Sequence, residues 1–298
     1  MENKKLIMKK LFLLLALLPM FVFAQQPKGK GVVVEHTYYS LSYIEEHEQP
    51  EWVYYLLTAD MVKGEAERGD DFRPDEKVET GSADLSDYKS SGYDRGHLCP
   101  AADMKQSEEA MSETFFMSNM SPQTPSFNRG VWARLEQKVR DWALADDSLY
   151  IVTGPVFIEN IGTIGVNKVT VPGFYYKVLY SLKRNKMQAF LLPNRDGLKA
   201  DWATYSVSVD LLEWLTGIDF YAEMADDVEA KLESANDYDS WSAGVVVKRT
   251  ENTQSTPTTK VASQQCKGTA KSTGQRCKTR TTNLNGYCDA HQSQDTKK

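Results

Sequence analysis

The spacing of apolar residues predicts one amphipathic helix clearly, over residues 131–146. Its apolar positions are Val131, Leu135, Val139 and Trp142, which recur at intervals of four, four and three. Because an α-helix has about 3.6 residues per turn, this spacing places the four side chains in one stripe. The pattern therefore predicts a helix with one buried face and a polar outer surface.

The remaining pattern predicts two more helices, a set of strands and a long polar loop over 63–92. One helix is expected over 107–119, where Ser107 is a good N-cap, and another over 207–220, which Gly217 closes. Strands are predicted where aromatic and β-branched residues cluster: 52–62, 93–101, 148–157, 165–172, 174–182 and 187–194. Since the elements are mixed rather than strictly alternating, the predicted fold class is α+β with a largely antiparallel sheet.

The N-terminal segment 1–24 has the pattern of a cleaved signal peptide. Four lysines precede an apolar run over 11–24, which ends in the small residue Ala24. The run is shorter than the roughly 20 residues that a membrane-spanning helix needs, and Pro19 interrupts it. We therefore expect a secreted or periplasmic protein with no membrane anchor in its mature form.

Charge is distributed unevenly along the chain. The formal net charge is −6. Setting aside the +3 of residues 1–24 and the +5 of residues 251–298 leaves −14 for the body, 25–250. Such an acidic body argues against a protein that coats DNA by bulk electrostatics, but it permits a local basic cleft. A polar stretch over 248–265 is predicted to be a linker.

The stretch SGYDRGHLCPAADM, residues 91–104, holds one of the four histidines of the chain, His97. A neutral imidazole can take a proton from water, and the neighbouring Arg95 offers a guanidinium fork that fits a phosphate. Asp94 or a backbone carbonyl could orient the ring. These residue types are typical of phosphodiester hydrolysis, although a lone histidine is also often structural.

A second group of polar residues follows about 30 residues later. Asn119 and Asn128 are nine residues apart, and Glu136 follows eight residues after Asn128. On a regular helix, Glu136 lies about 80° around from Asn128 and roughly two turns along, so both can face one cleft. An amide oxygen suits Mg²⁺, and a carboxylate can hold one of its waters. The alternative is that Asn128 starts the helix and Glu136 is a solvated carboxylate.

Four motifs together resemble the DNA/RNA non-specific endonucleases, the family of endonuclease G and the Serratia-type nucleases: RGDDFRPD, YDRGHLCPAADM, FFMSNMSPQ and FNRGVWARLE. The resemblance spans roughly residues 50–220. It implies a ββα-metal core within a mixed α+β domain, for which we predict the bounds 25–247. It also implies an Mg²⁺-dependent enzyme, with Mn²⁺ or another divalent ion as a substitute, that cleaves DNA and RNA to 5′-phosphate ends.

The resemblance assigns roles to individual residues. It makes His97 the general base and Asn128 the metal ligand, with Asn119 organising the site. Glu136 is implied to be a metal neighbour through water, and Arg95 belongs to the motif itself. The resemblance also implies a further arginine that contacts phosphate. Arg68 is the preferred match, and Arg73 is its rival.

Two other functions remain open from the sequence alone. The chain could be a non-catalytic extracellular binding protein that keeps the nuclease fold. It could also be a phosphodiesterase that acts on another phosphate ester. Because no core motif residue is missing, the sequence favours the nuclease.

The C-terminal tail carries its own motif over 266–291. Three cysteines and a histidine there match the ligand set of a closed tetrahedral Zn²⁺ site: Cys266, Cys277, Cys288 and His291. The alternatives are a disulfide, since the predicted export route is oxidising, or a flexible tail. We expect Cys99, close to His97, to be buried and free.

Overall fold

The computed structural model describes residues 26–243, and in the tail residues 264–269, 275–281, 287 and 294. The predicted signal peptide 1–24, most of the predicted linker, and both Cys288 and His291 lie outside the described residues. Contacts divide the chain into two units, 1–247 and 248–298. In the part of the chain that the structure describes, no helix is both long and apolar enough to cross a membrane.

A seven-stranded antiparallel sheet forms the centre of the first unit, with strand order β1-β2-β3-β6-β7-β8-β9. A separate two-stranded ribbon is formed by β4 and β5. The strands of this unit are β1 (Val32–Glu35), β2 (Ser40–Ile44), β3 (Gln49–Thr58), β4 (Asp94–His97), β5 (Met120–Gln123), β6 (Ser148–Ile164), β7 (Val169–Ser181), β8 (Lys186–Pro193) and β9 (Ser206–Val207). The predicted α+β class with a largely antiparallel sheet is confirmed.

Both faces of the sheet are buried. Alternate residues of its central strands pack into two different hydrophobic cores, one on each face. In β3, Val53 and Tyr55 belong to one core, whereas Trp52 and Tyr54 belong to the other. Successive side chains of a strand point to opposite faces, so a strand covered on both sides is apolar at nearly every position. This explains why residues 52–57 of β3 carry no polar alternation.

Eight helices are described: α1 (Ala59–Lys63), α2 (Leu85–Tyr88), α3 (Glu108–Glu113), α4 (Ala133–Asp146), α5 (Trp202–Tyr205), α6 (Val209–Thr216), α7 (Asp226–Glu233) and α8 (Tyr238–Ser242). The long helix α4 confirms the clearest sequence prediction, and all four residues of its apolar stripe lie in the first core. Helices α6 and α7 pack on the second core through Val209, Leu212 and Leu232. The two helical layers therefore cover opposite faces of the sheet.

Helix ends agree with the capping signals in the sequence. The Ser107 hydroxyl accepts a hydrogen bond from the Ala110 backbone N–H at 3.1 Å, as an N-cap does. Gly217 ends α6 in the left-handed conformation with φ 70°, which glycine adopts without steric cost.

Several of the predicted elements have different bounds in the structure. The predicted strand 52–62 divides into β3 and α1, because the Thr58 side chain caps a helical turn. The two strands predicted over 165–172 and 174–182 form a single strand, β7. The predicted helix 107–119 ends early, at Glu113.

The ribbon of β4 and β5 leads directly into α4 and forms a ββα unit. Asp94 lies opposite Gln123, and His97 lies opposite Met120. The Tyr175 hydroxyl of β7 donates to the Pro122 carbonyl at 2.8 Å and fixes the ribbon against the main sheet. The sheet thus determines where the side chains of β4 are held.

The ribbon depends on a close approach at Gly96. A Cβ atom on this residue would lie 2.3 Å from Gln123 Cδ, and Gln123 is fully buried. Gly130, by contrast, has nothing within 4 Å of the position that its Cβ would occupy. Gly96 and Gly130 therefore provide a test position and a control position for the same substitution to alanine.

We predict that Gly96→Ala lowers the free energy of unfolding by about 1–3 kcal/mol, because the buried Gln123 side chain must be displaced. Urea unfolding monitored by circular dichroism measures this. Gly130→Ala serves as the control and is expected to cause no loss. Equal stability of the Gly96→Ala variant and the original protein would contradict the close packing described for the ribbon.

Candidate active site

A cavity of about 600 Å³ opens beside the ββα unit, and its lining is largely basic and aromatic. Three residues that the sequence singled out line it, namely Arg68, Arg95 and Asn128. The other lining residues are Phe72, Leu85, Tyr88, Lys89, Tyr93, Asp94 and Arg129. The structure therefore brings together side chains from the 63–92 loop, from β4 and from the start of the long helix.

His97 lies behind this cavity between two aromatic rings. Its ring centroid is 4.9 Å from that of Phe115 and 5.6 Å from that of Phe72, which lines the cavity. His97 Nε2 is enclosed and has no hydrogen-bond partner among the described residues. Burial, and then the positive charges of Arg68 and Arg95, lower the pKa of His97 to about 3. The imidazole is therefore neutral at pH 7 and able to accept a proton.

Two of the three arginines that line the cavity, Arg68 and Arg95, keep their guanidinium groups available. Arg95 Cζ lies 3.8 Å above the Phe72 ring, and Arg68 Cζ lies 5.2 Å from the centre of the Phe115 ring. Neither forms an ion pair with any carboxylate of residues 26–243. Stacking fixes the planes of the guanidinium groups while leaving N–H donors free for a phosphate.

Arg73, the rival to Arg68, is engaged elsewhere. Its guanidinium donates to the Asp71 carboxylate at 2.8 Å and to the Ser112 carbonyl at 3.0 Å, and it stacks on Phe116. It does not line the cavity. The geometry therefore favours Arg68 as the phosphate contact, and that role stays a prediction.

Asn128 lies within a π turn over Phe127–Trp132 rather than at the cap of the helix. Its carbonyl accepts from the Ala133 backbone N–H, five residues along, which widens the turn. The interpretation of Asn128 as a helix cap is therefore wrong, since Ser126 occupies that place. The wide turn instead presents the Asn128 side chain to the cavity.

Asp94 orients the amide of Asn128. The Asn128 Nδ2 group donates to Asp94 Oδ2 at 2.9 Å, and Arg129 Nε donates to the same oxygen at 2.7 Å. Because the amide nitrogen is engaged, the amide oxygen is left as the free ligand atom. The expectation that Asp94 orients the His97 ring is not met, because its bonds go to Asn128 and Arg129.

Asn119 organises the site from behind and does not reach the cavity. Its side chain is fully buried, and its Oδ1 accepts from the Cys99 backbone N–H at 2.8 Å. Its Nδ2 donates to the Cys99 carbonyl at 2.9 Å and to the Thr114 carbonyl at 2.8 Å. Asn119 therefore fixes the segment that follows His97, which makes it a positioning residue rather than a catalytic one.

Glu136 lies on α4 within a cluster of buried charges. Burial raises its pKa to about 7, against the lowering influence of Lys177, while Asp103 raises it further. Lys177 is fully buried in β7, and its amine lies 5.0 Å from the centre of the Trp132 ring. Burial lowers the pKa of Lys177, and Glu136 and Asp103 oppose this. The Asp103 carboxylate pairs with Arg140 at 2.7 Å.

Sequence reasoning missed two parts of this site. One is the role of Asp94, which belongs to a recognised motif but was assigned to the wrong partner. The other is the buried charge of Lys177. The sequence feature that could have predicted it is a lysine within the apolar run FYYKVLY, in a strand covered on both faces. The roles assigned to His97, Asn128 and the other site residues stay predictions.

The described part of the second unit brings two of the four predicted tail ligands, Cys266 and Cys277, close to one small pair of strands. Strands β10 (Gln264–Gln265) and β11 (Arg280–Thr281) pair antiparallel. The Cys277 backbone N–H donates to the Gly268 carbonyl at 2.8 Å, and the Gly268 N–H donates to Cys266 Sγ at 3.3 Å. In the body, Cys99 is buried and forms no disulfide within the described residues.

Comparison with known proteins gives a consistent result. The family model for DNA/RNA non-specific endonuclease matches residues 20–227, more than half of the chain. The chain is 38% identical over 212 residues to a nuclease from Nostoc sp., covering 67% of this chain and 76% of that protein. It is 36% identical over 204 residues to the mitochondrial nuclease EXOG of Danio rerio, covering 62% of this chain and 60% of that protein.

A solved structure is also similar to this chain. It is a crystal structure of the EndoG/EndoGI complex, concerned with the mechanism of EndoG inhibition, and it matches with a TM-score of 0.61 at 30% identity. The match covers 66% of this chain and 88% of the other. The sequence and fold comparisons thus agree on the family that the motifs indicated.

We predict that Asp94→Ala weakens Mn²⁺ or Mg²⁺ binding by roughly 10–100-fold, because the Asn128 amide loses the acceptor that orients it. Isothermal titration calorimetry on the full chain measures the dissociation constant. Arg129→Gln removes the exposed partner of the same carboxylate and is expected to change the constant only slightly. Unchanged affinity in Asp94→Ala would remove Asp94 from the site.

Proposed function

Because the chain belongs to the DNA/RNA non-specific endonuclease family, we propose that it hydrolyses the phosphodiester bonds of DNA and RNA in the cavity beside the ββα unit. The family consists of nucleases that depend on a divalent metal ion. The observation that carries the proposal is the convergence of three groups on one cavity. These are two unpaired guanidiniums, an oriented amide, and a neutral imidazole at its rear.

The residues present fit a hydrated Mg²⁺. The Asn128 amide oxygen, left free by the bond from its nitrogen to Asp94, would be the direct ligand, and the Glu136 carboxylate would hold one of the waters of the ion. A small number of oxygen ligands from the protein suits Mg²⁺, because this ion keeps several of its bound waters. When bound, such an ion supplies positive charge that stabilises the phosphoryl oxygens and the leaving oxygen.

His97 acts as the general base in this proposal. Its Nδ1 accepts a proton from the water that attacks phosphorus, and the imidazole becomes an imidazolium. The bond from phosphorus to the 3′ oxygen breaks, and that oxygen takes a proton from solvent. The products are a 5′-phosphate and a 3′-hydroxyl.

The cavity groups select the backbone rather than the base or the sugar. Arg68 and Arg95 present donors that fit phosphate oxygens, and such contacts carry no direct sequence information. Substrates are therefore both DNA and RNA, with little dependence on sequence.

We further propose that the protein acts outside the cytoplasm and that its tail holds a structural Zn²⁺. The first part is supported by the signal pattern of residues 1–24. The second part is supported by the pair of strands close to Cys266 and Cys277, and by the backbone N–H that donates to the Cys266 sulfur. Thiolates of structural zinc sites are commonly held by such outer contacts.

We predict that His97→Gln lowers the rate of nucleic-acid cleavage by roughly 10²–10⁴-fold, because the base is lost while the binding groups remain. Cleavage of supercoiled plasmid and of RNA is measured in Mg²⁺, with EDTA as a second condition. EDTA is expected to abolish cleavage by the unaltered protein.

The matched control for this experiment is His47→Gln. His47 stacks on Phe157 at 3.8 Å and lies away from the cavity, so cleavage should persist. Near-native cleavage by His97→Gln would refute the base assignment. If the unaltered protein binds nucleic acid without cleaving it, the chain is a non-catalytic binding protein.

We predict one Zn²⁺ per chain in the full-length protein, and none after Cys266→Ser combined with Cys277→Ser, because two thiolate ligands are lost. Atomic emission analysis of protein purified without chelators measures this. Cys99→Ser is the control and should keep the metal. Absence of zinc together with fewer titratable thiols would indicate a disulfide instead.

A further inference from the structure

A group of carboxylates lies on the second core, on the sheet face opposite α4. Asp210 and Glu213 belong to α6, and Glu233 is the last residue of α7. One carboxylate oxygen of each lies within 4.8 Å of the others. Helices α6 and α7 are therefore joined at a point where three negative groups meet.

The buried member of the group is Glu233, whose exposed fraction is only 4%. Its Oε1 has no hydrogen-bond partner among the described residues. A buried carboxylate oxygen without a donor is unfavourable, because it loses hydration and gains nothing in return. The Glu233 carboxylate belongs to the group with Asp210 and Glu213, so a cation held by the group would give this buried side chain a partner.

No cationic side chain of residues 26–243 fills this place. Within residues 26–243, no lysine, arginine or histidine forms an ion pair with Asp210, Glu213 or Glu233. The Lys28 amine, which lies in the same region, pairs with Glu223 at 2.9 Å. Among residues 26–243, the Glu213 carboxylate accepts a hydrogen bond only from the Phe220 backbone N–H, at 3.0 Å.

Burial and the neighbouring negative charges shift the pKa values of these carboxyl groups. Burial, and then the charges of Glu213 and Glu229, raise the pKa of Glu233 to about 8. Burial also raises the pKa of Glu213 and of Glu229, and Asp219 adds to both. Three carboxyl groups that lie this close together therefore disfavour carrying their full negative charge.

We propose that Asp210, Glu213 and Glu233 bind Ca²⁺, which fastens α6 to α7 at a site separate from the catalytic cavity. Three carboxylates supply the hard oxygen ligands that Ca²⁺ prefers. Calcium–oxygen distances of about 2.3–2.6 Å allow two ligands on one ion to lie up to about 5 Å apart, which agrees with the observed spacing. Asp210 is exposed, so water completes the coordination.

The ligand chemistry argues against a transition metal. The group contains neither histidine nor cysteine, which Zn²⁺ and similar ions favour. The site also contributes no residue to the cavity that holds Asn128 and His97. The ion therefore stabilises the fold, and this inference does not rest on the proposed nuclease activity.

The test is thermal unfolding of the chelator-treated full chain at neutral pH, with and without CaCl₂. We expect Ca²⁺ at about 100 times its dissociation constant to raise Tm by about 5 °C or more. Glu233→Gln removes the buried charge and should abolish the rise. Asp210→Asn changes an exposed ligand and should reduce the rise, which covers the case in which the first variant does not fold.

Two further variants locate the effect. Asp227→Asn changes an exposed carboxylate of α7 outside the group and should keep the full rise in Tm. Asn128→Ala alters the candidate catalytic site and should also keep it. If Asn128→Ala abolishes the rise while Glu233→Gln retains it, calcium acts at the other site and the proposal fails. Absence of any rise in the unaltered protein likewise refutes it.

Discussion

The hydrogen bond from the Asn128 amide to the Asp94 carboxylate is the contact on which the site depends. It joins the first strand of the ββα unit to the π turn that opens the long helix. An amide offers a donor and an acceptor at similar distances from its backbone, and only a fixed partner decides which of them faces the cavity. By engaging the nitrogen, Asp94 directs the oxygen outward, which is the orientation that the proposed metal site requires.

The interior behind this contact carries an unusual amount of charge. Lys177 is fully buried in a central strand, and both Glu136 and the Asp103–Arg140 pair lie close enough to influence its pKa. Burying isolated charges is costly, so these groups are tolerated only because they offset one another. The same arrangement restricts the conformations of α4, since Arg140 pairs with Asp103 and Glu136 lies near Lys177 of the sheet. Asn119 adds to this rigidity with bonds to backbone alone.

The parts of the fold that follow from local physics were predictable, and those that depend on tertiary contacts were not. The apolar stripe of α4 and the caps at Ser107 and Gly217 are local signals, and the structure confirms them. The π turn is not encoded in the spacing of apolar residues. A residue-by-residue rotation of 100° therefore misplaces Glu136 relative to Asn128, since the wide turn changes the helical phase between them. The contact between Asp94 and Asn128 could not be predicted either, because the two residues lie 34 positions apart in sequence.

The acidic body and the basic cavity are compatible because they act over different distances. Charges separated by more than about 8–10 Å are largely screened at physiological ionic strength, so a phosphate in the cavity interacts mainly with the local arginines. Arg68 and Arg95 remain free of carboxylate partners within residues 26–243, whereas acidic residues gather on the opposite face of the sheet, around Glu233. A cation held there would reduce the negative charge of the body without adding charge at the cavity. Separation across the sheet thus allows one domain to attract a polyanion locally while remaining acidic as a whole.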